Sequence, residues 1–215
     1  MQLLRGLLYR LRRSLRVFRE KGPRAGVTEL WRTILRVFCQ RTDYVVVAHT
    51  LSEKIPSPNP KPGLTIRQVR DREELATLNR IADEEDRARF YRLLDHGSIA
   101  FIASQDSRPV GYCWISEEID MRVHRVQPPL SPGDAYVHDL FVAPTHRRQG
   151  IGSALVSHRL RFLRDHGCER VIAIVLKDNV PALKVDSKTG YTHVGEMTHT
   201  RILLWDLFAY HRYET

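Results

Sequence analysis

Residues 136–167 restrict the possible folds more than any other part of this chain, because a strand, a proline turn, a glycine turn and a helix follow one another without a gap. Tyr136-Val137-His138-Asp139-Leu140-Phe141-Val142 reads as a strand and Ala143-Pro144-Thr145-His146 as a turn. Arg147-Arg148-Gln149-Gly150-Ile151-Gly152-Ser153 then opens a helix that runs to His166 and ends at Gly167. The first N–H groups of a helix have no backbone acceptor and carry the positive end of the macrodipole, so a diphosphate satisfies both at once. Gly150 and Gly152 remove the side chains that would block close approach, and Arg147 and Arg148 add charge at the rim. A solvated turn whose arginines serve solubility is the competing account of the glycine pair. No Lys-Ser/Thr follows the second glycine, so this is not the longer nucleotide loop. It is not the dinucleotide fingerprint either, which needs a third glycine and a later acidic residue.

The flanking chain alternates strands and helices. Tyr44 to Ala48 reads as a strand, followed by the linker Ile55-Pro56-Ser57-Pro58-Asn59-Pro60-Lys61-Pro62-Gly63. Prolines at this density forbid helix and central strand, so the boundary of the main domain is expected at residue 64, with 1–63 as an extension and 64–215 as the domain. Leu64 to Val69 is a short strand. Asp71 and Glu74 form a capping box for a helix whose core face is Leu75, Leu78 and Ile81. A second helix carries Phe90, Leu93 and Leu94 and stops at Gly97. Ile99–Ala103 and Val110–Ile115 form a hairpin, and Val171–Leu176 is apolar enough for a central strand. Asn179 caps a helix to about Lys188, and the strands Tyr191–Glu196 and Arg201–Leu207 close the chain. The expected class is α/β (α+β), a mixed sheet with hairpins at both ends and a helical crossover between.

The run ending in Arg147-Arg148-Gln149-Gly150-Ile151-Gly152 resembles the cofactor motif of the GNAT superfamily of acyl-CoA N-acyltransferases. Asn179-Val180-Pro181-Ala182 with Lys188-Thr189-Gly190-Tyr191 resembles that family's second element, and Gly111-Tyr112-Cys113-Trp114 its third strand. The resemblance spans about residues 64–207 and implies a mostly antiparallel sheet and acetyl-CoA as co-substrate, with no metal. It implies that Leu140, Phe141 and Val142 pair with the pantetheine arm as an added strand would. Amides from Arg148 through Ser153, including Gln149 and Ile151, would hold the pyrophosphate. Asn179 would contact pantetheine, or only cap its helix.

The implied reaction is attack of a primary amine on a thioester, with a backbone N–H near Val142 for the oxyanion. Family members with a base on this strand place it at the positions of Tyr136 and His138, which share a strand face. His138 has a suitable unperturbed pKa of about 6.5, and a satisfied structural histidine is the alternative. Asp139 is expected to point the other way and to make a structural hydrogen bond. Where many members carry a tyrosine that protonates the departing thiolate, this chain has Asp186. That departure keeps a non-catalytic acyl-CoA-binding or sensor module in play beside the enzyme. The runs Asp83-Glu84-Glu85-Asp86 and Glu117-Glu118-Ile119-Asp120 lie where the family builds its acceptor cleft, either favouring a cationic substrate or forming a solvated face.

The net charge of +9 is concentrated in one place. Of 34 basic residues eleven lie in the first 41, and of 25 acidic residues only Glu20 and Glu29 do, so the rest of the chain is neutral. A nucleic-acid-binding domain would spread basic charge over its folded face, so none is expected. Residues 3–19 place Leu4, Leu8, Leu11, Leu15 and Phe18 on one helical face between arginine flanks, and a second helix is expected from Thr28 through about Cys39. This arm fits an anionic membrane surface, an organellar transit peptide, or a surface on its own domain or on a second subunit of a homodimer. Cys39, Cys113 and Cys168 are scattered without metal-like spacing, which fits a reducing compartment such as the cytoplasm.

Overall fold

The computed structural model describes residues 39–58, 62–122, 124, 126–202 and 205–213. The expected helix over 3–19, nearly all of that from Thr28, and residues 1–38 of the basic arm lie outside the described residues. Cys39 itself begins a strand.

The chain divides into two compact units, Tyr44–Met197 with Tyr210–Thr215, and Met1–Asp43 with Thr198–Ala209. In the second of these, Arg41 and Thr198 both donate to the Asp43 carboxylate, and Asp206 accepts from Arg201 and pairs with His199. The first unit carries both hydrophobic clusters and the whole candidate site.

The strands are β1 (Cys39–Thr50), β2 (Leu64–Gln68), β3 (Ile99–Gln105), β4 (Arg108–Ser116), β5 (Asp134–Val142), β6 (Arg170–Leu176), β7 (Thr192–Ile202) and β8 (Trp205–Arg212). The helices are α1 (Arg72–Ala76), continued by a 3-10 turn at Thr77–Arg80, α2 (Glu84–Asp95), α3 (Ile151–Asp165) and α4 (Val180–Lys188). One mixed sheet has the order β2-β3-β4-β5-β6-β1-β7-β8. Pairing is antiparallel for β2–β3, β3–β4, β4–β5 and β1–β6, and parallel for β5–β6. α3 makes the crossover that a parallel pair needs.

Local chemistry explains most element boundaries. Asp71 Oδ1 accepts from Glu74 N at 2.8 Å, as a capping box requires, and Glu74 Oε2 answers at Arg70 N rather than at the cap. Asp83 caps α2 through Asp86 N, so part of the acidic run is helix-terminal chemistry. The β3–β4 turn is tighter than expected. Asp106 and Ser107 have φ of 49° and 63°, the two left-handed residues of a two-residue hairpin. The closing hairpin is shifted toward the C-terminus, with β8 beginning at Trp205 rather than Arg201.

The boundary expected at residue 64 is corrected by the pairing of β1. Tyr44 to Thr50 is hydrogen-bonded to Leu176 to Arg170, and Val45, Val46, Val47 and Ala48 are all buried. The described residues of the proline-rich stretch, 55–58 and 62–63, form no helix or strand and lie in sequence between two strands of the same sheet. Proline density reports where regular structure stops, and says nothing about whether the strand before it has a partner.

Side chains alternate across the sheet and build a core on each face. Phe101, Cys113 and Ile115 join Ile151, Leu155, Val156, Leu160 and Leu163 of α3. Ala100, Ile102, Tyr112 and Trp114 join Leu75, Leu78, Phe90 and Leu93 from the α1–α2 side. His138 pairs with Trp114 across β4–β5 and its ring stacks over the indole, so it belongs to the α1–α2 face.

Candidate functional site

One half of the candidate site is a half-buried, unpaired strand edge that leads to a helix without a side-chain cap. β5 pairs with β6 only from Asp134 to Val137, whereas β6 continues to Leu176 against β1. From His138 to Val142 the β6-facing edge of β5 is therefore not in the sheet, and Leu140, Phe141 and Val142 lie on it. Beyond it, no side chain caps α3 and no acidic residue lies in its first turn. Arg148 has φ of 60° and Gly150 φ of 80°, so the turn folds back tightly before Ile151. Arg147 Nε donates to the Val142 carbonyl at 3.1 Å and Gln149 Nε2 to the Thr145 carbonyl at 3.4 Å, which ties the turn to the strand end. Ile151, the first residue of α3, is buried in the core.

The two glycines have different causes. Gly150 is required by its left-handed backbone. Gly152 is not: a Cβ there would meet Val142 and Val185 at 3.8 Å, an ordinary contact. Glycine in a helix costs up to about 1 kcal/mol relative to alanine. A side chain at 152 is therefore compatible with the fold.

The second half of the site centres on a bulge. Tyr112 pairs with Phe141 and Trp114 with His138, so β5 spends one more residue than β4 between those pairs. Asp139 takes up the excess with φ of 50°. The expectation that Asp139 points away from His138 fails here, because a bulge interrupts the period-2 alternation. Asp139 Oδ2 instead bonds His138 Nδ1 at 2.8 Å and Arg89 Nη2 at 2.7 Å. Arg89 rises from α2, is buried, and also reaches Asp86 at 3.2 Å. Burial works to raise the Asp139 carboxyl pKa, but His138 and Arg89 hold it well below the ordinary carboxylate range.

His138 Nε2 bonds Ser116 Oγ at 2.9 Å. Ser116 Oγ also lies 2.8 Å from Ser98 Oγ and 2.8 Å from His124 Nε2. Asp139, His138 and Ser116 thus have the connectivity of a nucleophilic triad, but Ser116 is 2% exposed and surrounded by three polar partners. No carbonyl carbon can approach it, so the serine is a carrier of hydrogen bonds and not a nucleophile. Burial lowers the His138 pKa, and Asp139 only partly opposes this. With Asp139 ionised, His138 is neutral, carries its proton on Nδ1 and presents a lone pair at Nε2.

The other expected residues fall as follows. Tyr136 is buried and stacks on His138 at 5.0 Å, and burial raises its phenol pKa beyond use as a base. Asn179 Oδ1 accepts from Ala182 N at 3.3 Å, so the cap is formed. Asp186 is buried on α4. Burial raises its pKa while Arg159 and His193 pull it down. Arg159 is itself buried and acts electrostatically on Asp186, Tyr191, Cys113 and His138. Of the acidic runs, Asp120 chelates Arg122 at 2.6 and 2.9 Å.

Arg89, Ser98, Ser116 and His124 were not legible as site residues. Arg89 did leave a trace, since it shares a helical face with Leu93 one turn on and Asp86 one turn back. Ser116 and His124 left none.

This sheet, its open β5 edge and its glycine turn define an acyl-CoA transferase fold. The family profile described as "Acetyltransferase (GNAT) family" matches residues 65–191, and the chain belongs to that family. It is 33% identical over 102 residues to a mycothiol acetyltransferase of Frankia casuarinae, covering 47% of this chain and 28% of that protein. It is 28% identical over 123 residues to human N-acetyltransferase 8, covering 57% and 51%. The chain thus spans about half or less of these relatives. Among solved structures, a GCN5-related N-acetyltransferase from Sphaerobacter thermophilus superposes with a TM-score of 0.56 at 17% identity, covering 83% of this chain and 57% of that one. At that identity the likeness is one of fold.

Proposed function

We propose that this protein transfers an acetyl group from acetyl-CoA to a primary amine by direct attack on the thioester. The observation that carries the reading is the open β5 edge from His138 to Val142, which leads directly to the uncapped N-terminus of α3. Pantetheine would bond the edge as an added strand and the pyrophosphate would take the first-turn amides. The amine nitrogen then attacks the thioester carbonyl while its proton leaves toward His138. The oxyanion is held by a backbone N–H near Val142, and the C–S bond breaks. Asp186 stands where a proton donor for the thiolate is expected, and its raised pKa is in the direction that role needs. The aspartate at 186 in place of the expected tyrosine keeps a second reading, an acyl-CoA-binding module without turnover.

Thiol release from acetyl-CoA across a panel of primary amines separates the two. An enzyme releases CoA in proportion to the acylated amine formed, whereas a module binds acetyl-CoA and releases none with any acceptor. The likeness to a mycothiol acetyltransferase puts small-molecule acceptors first in the panel.

The basic arm, residues 1–41, is proposed to dock on an anionic membrane surface. Its five apolar positions at helical spacing and its net charge call for a surface that meets both, each arginine near headgroups adding on the order of 1 kcal/mol. The full chain is expected to sediment with anionic vesicles at low salt, and a chain starting at Cys39, which keeps β1, to stay in solution. Equal partition of the two chains would remove the membrane reading.

A further inference from the structure

His124 is mounted in a way the reaction as drawn does not use. Its Nδ1 lies 3.1 Å from the Asp120 N–H and 2.9 Å from the Asp120 carbonyl, a donor and an acceptor of the same residue. The ring can therefore hold its proton on either nitrogen without losing a bond on that side. At its other nitrogen, Ser116 Oγ stands between His124 Nε2 and His138 Nε2, at 2.8 and 2.9 Å, with Ser98 as a third partner at 2.8 Å. The residues on this path are buried: Ser98 4%, Ser116 2% and His124 6% exposed, with the His138 side chain at 7%.

From this geometry we infer that Ser116 and His124 make His138 one half of a two-imidazole proton store, in which a single excess proton is shared through the Ser116 hydroxyl. With the proton on His138, Nδ1–H donates to Asp139 and Nε2–H to Ser116 Oγ. The Ser116 hydroxyl then donates to His124 Nε2, and His124 Nδ1–H to the Asp120 carbonyl. The transfer breaks the His138 Nε2–H bond and forms an O–H bond on Ser116. The original Ser116 O–H breaks in the same event, and an N–H bond forms on His124 Nε2. His124 is then the cation, His138 again has a lone pair at Nε2, and Ser116 donates to it. Every hydrogen is bonded in both states, and Ser98 donates to Ser116 throughout.

Burial disfavours a proton on either ring. At His138, Asp139 favours the cation while Arg89 and Arg159 oppose it. At His124, the Asp120 backbone and carboxylate favour the cation while His138 and Arg89 oppose it, so a second proton would meet the charge of the first. The Tyr136 ring lies against both imidazoles, 5.0 Å from His138 and 6.1 Å from His124. Two sites coupled this closely titrate as a pair.

Ser116 and His124 are positioning residues, and the catalytic meaning of the store rests on the reading of His138 as the base. The store itself needs no turnover to be seen. Imidazole ¹⁵N shifts of the free full-length protein, followed against pH, test it. In the wild type, His138 and His124 are expected to move together at a shared midpoint, with His124 shifts intermediate between the two tautomers. Ser116→Ala should split that midpoint in two and lock His124 into one tautomer, and Ser116→Thr should restore the shared titration. His124→Asn should shift the His138 midpoint with the fold unchanged by circular dichroism, which covers the case that Ser116→Ala does not fold. In the active protein, the pH midpoint of kcat/KM should move in Ser116→Ala and return in Ser116→Thr. A wild type in which His124 keeps one tautomer while His138 titrates alone overturns the store. Absence of turnover with every amine overturns the proposed reaction and leaves the store to the NMR result.

Discussion

Gly152→Asp is expected to leave the protein folded and to weaken acetyl-CoA binding at least about 100-fold, roughly 2.7 kcal/mol. The substitution works with the fold and against the ligand. A Cβ at 152 meets nothing nearer than two valine methyls at 3.8 Å, and the backbone is not left-handed there. A carboxylate in the first turn of α3 also favours the helix, by about 0.3–1 kcal/mol, and removing glycine adds up to about 1 kcal/mol more. The same carboxylate occupies the amides and the space a diphosphate needs, and repels it. Gly150→Asp is a weaker probe, because φ of 80° would strain any other residue and confuse unfolding with lost affinity. Gly152→Ala separates steric from electrostatic loss, since it adds bulk without charge. Calorimetry against thermal melts reads both quantities on the same samples. A Gly152→Asp protein that melts like the wild type and binds acetyl-CoA equally well would place the diphosphate elsewhere.

The strand, turn and helix of the expected cofactor half could be read from the sequence because they are contiguous. They follow each other from Tyr136 to Asp165, and the secondary structure dictates the direction of their backbone amides. Caps at Asp71 and Asn179 were legible for the same reason, each bond spanning three residues. The β1 pairing was not legible, because a strand's partner is a long-range fact and a run of β-branched residues carries no address. The His138 network was missed for two reasons. Arg89, Ser116 and His124 come from three separate segments that only the tertiary fold brings together. The bulge at Asp139 then reverses a side chain that period-2 counting aims at the opposite face. Arg159 was legible and passed over: it sits one turn after Leu155 and one before Leu163, in a stripe otherwise apolar, and is 2% exposed.

His138→Ala is expected to lower kcat by about 10²-fold or more near neutral pH, the low end for a positioned base. Burial lowers the His138 pKa, so the ring stays a free base at pH 7 and the acid limb of the wild-type rate lies below about 6.5. The deficit of the variant should shrink toward high pH, where the amine reaches its neutral form unaided. Stability responds to the same shift with a definite sign. Because the folded pKa is below the unfolded one, the unfolded chain binds more protons in the window under about 6.5, and acid there destabilises the wild type. Asp139 behaves in the opposite range. Its depressed pKa gives stability that is present above the unfolded value of about 3.9 and lost as pH falls through the folded one. Melting temperature should thus fall as pH drops below about 6.5, and His138→Gln should flatten that part of the curve and also shrink the lower one, because His138 helps to depress the Asp139 pKa. Asp139→Asn is the companion variant, since asparagine tolerates φ of 50° where alanine would not. It removes the charge that fixes the Nδ1 proton and should reproduce much of the His138→Ala deficit with little change in acetyl-CoA affinity. Wild-type kcat in His138→Ala at pH 7, under conditions where chemistry limits the rate, would return the histidine to a purely structural role.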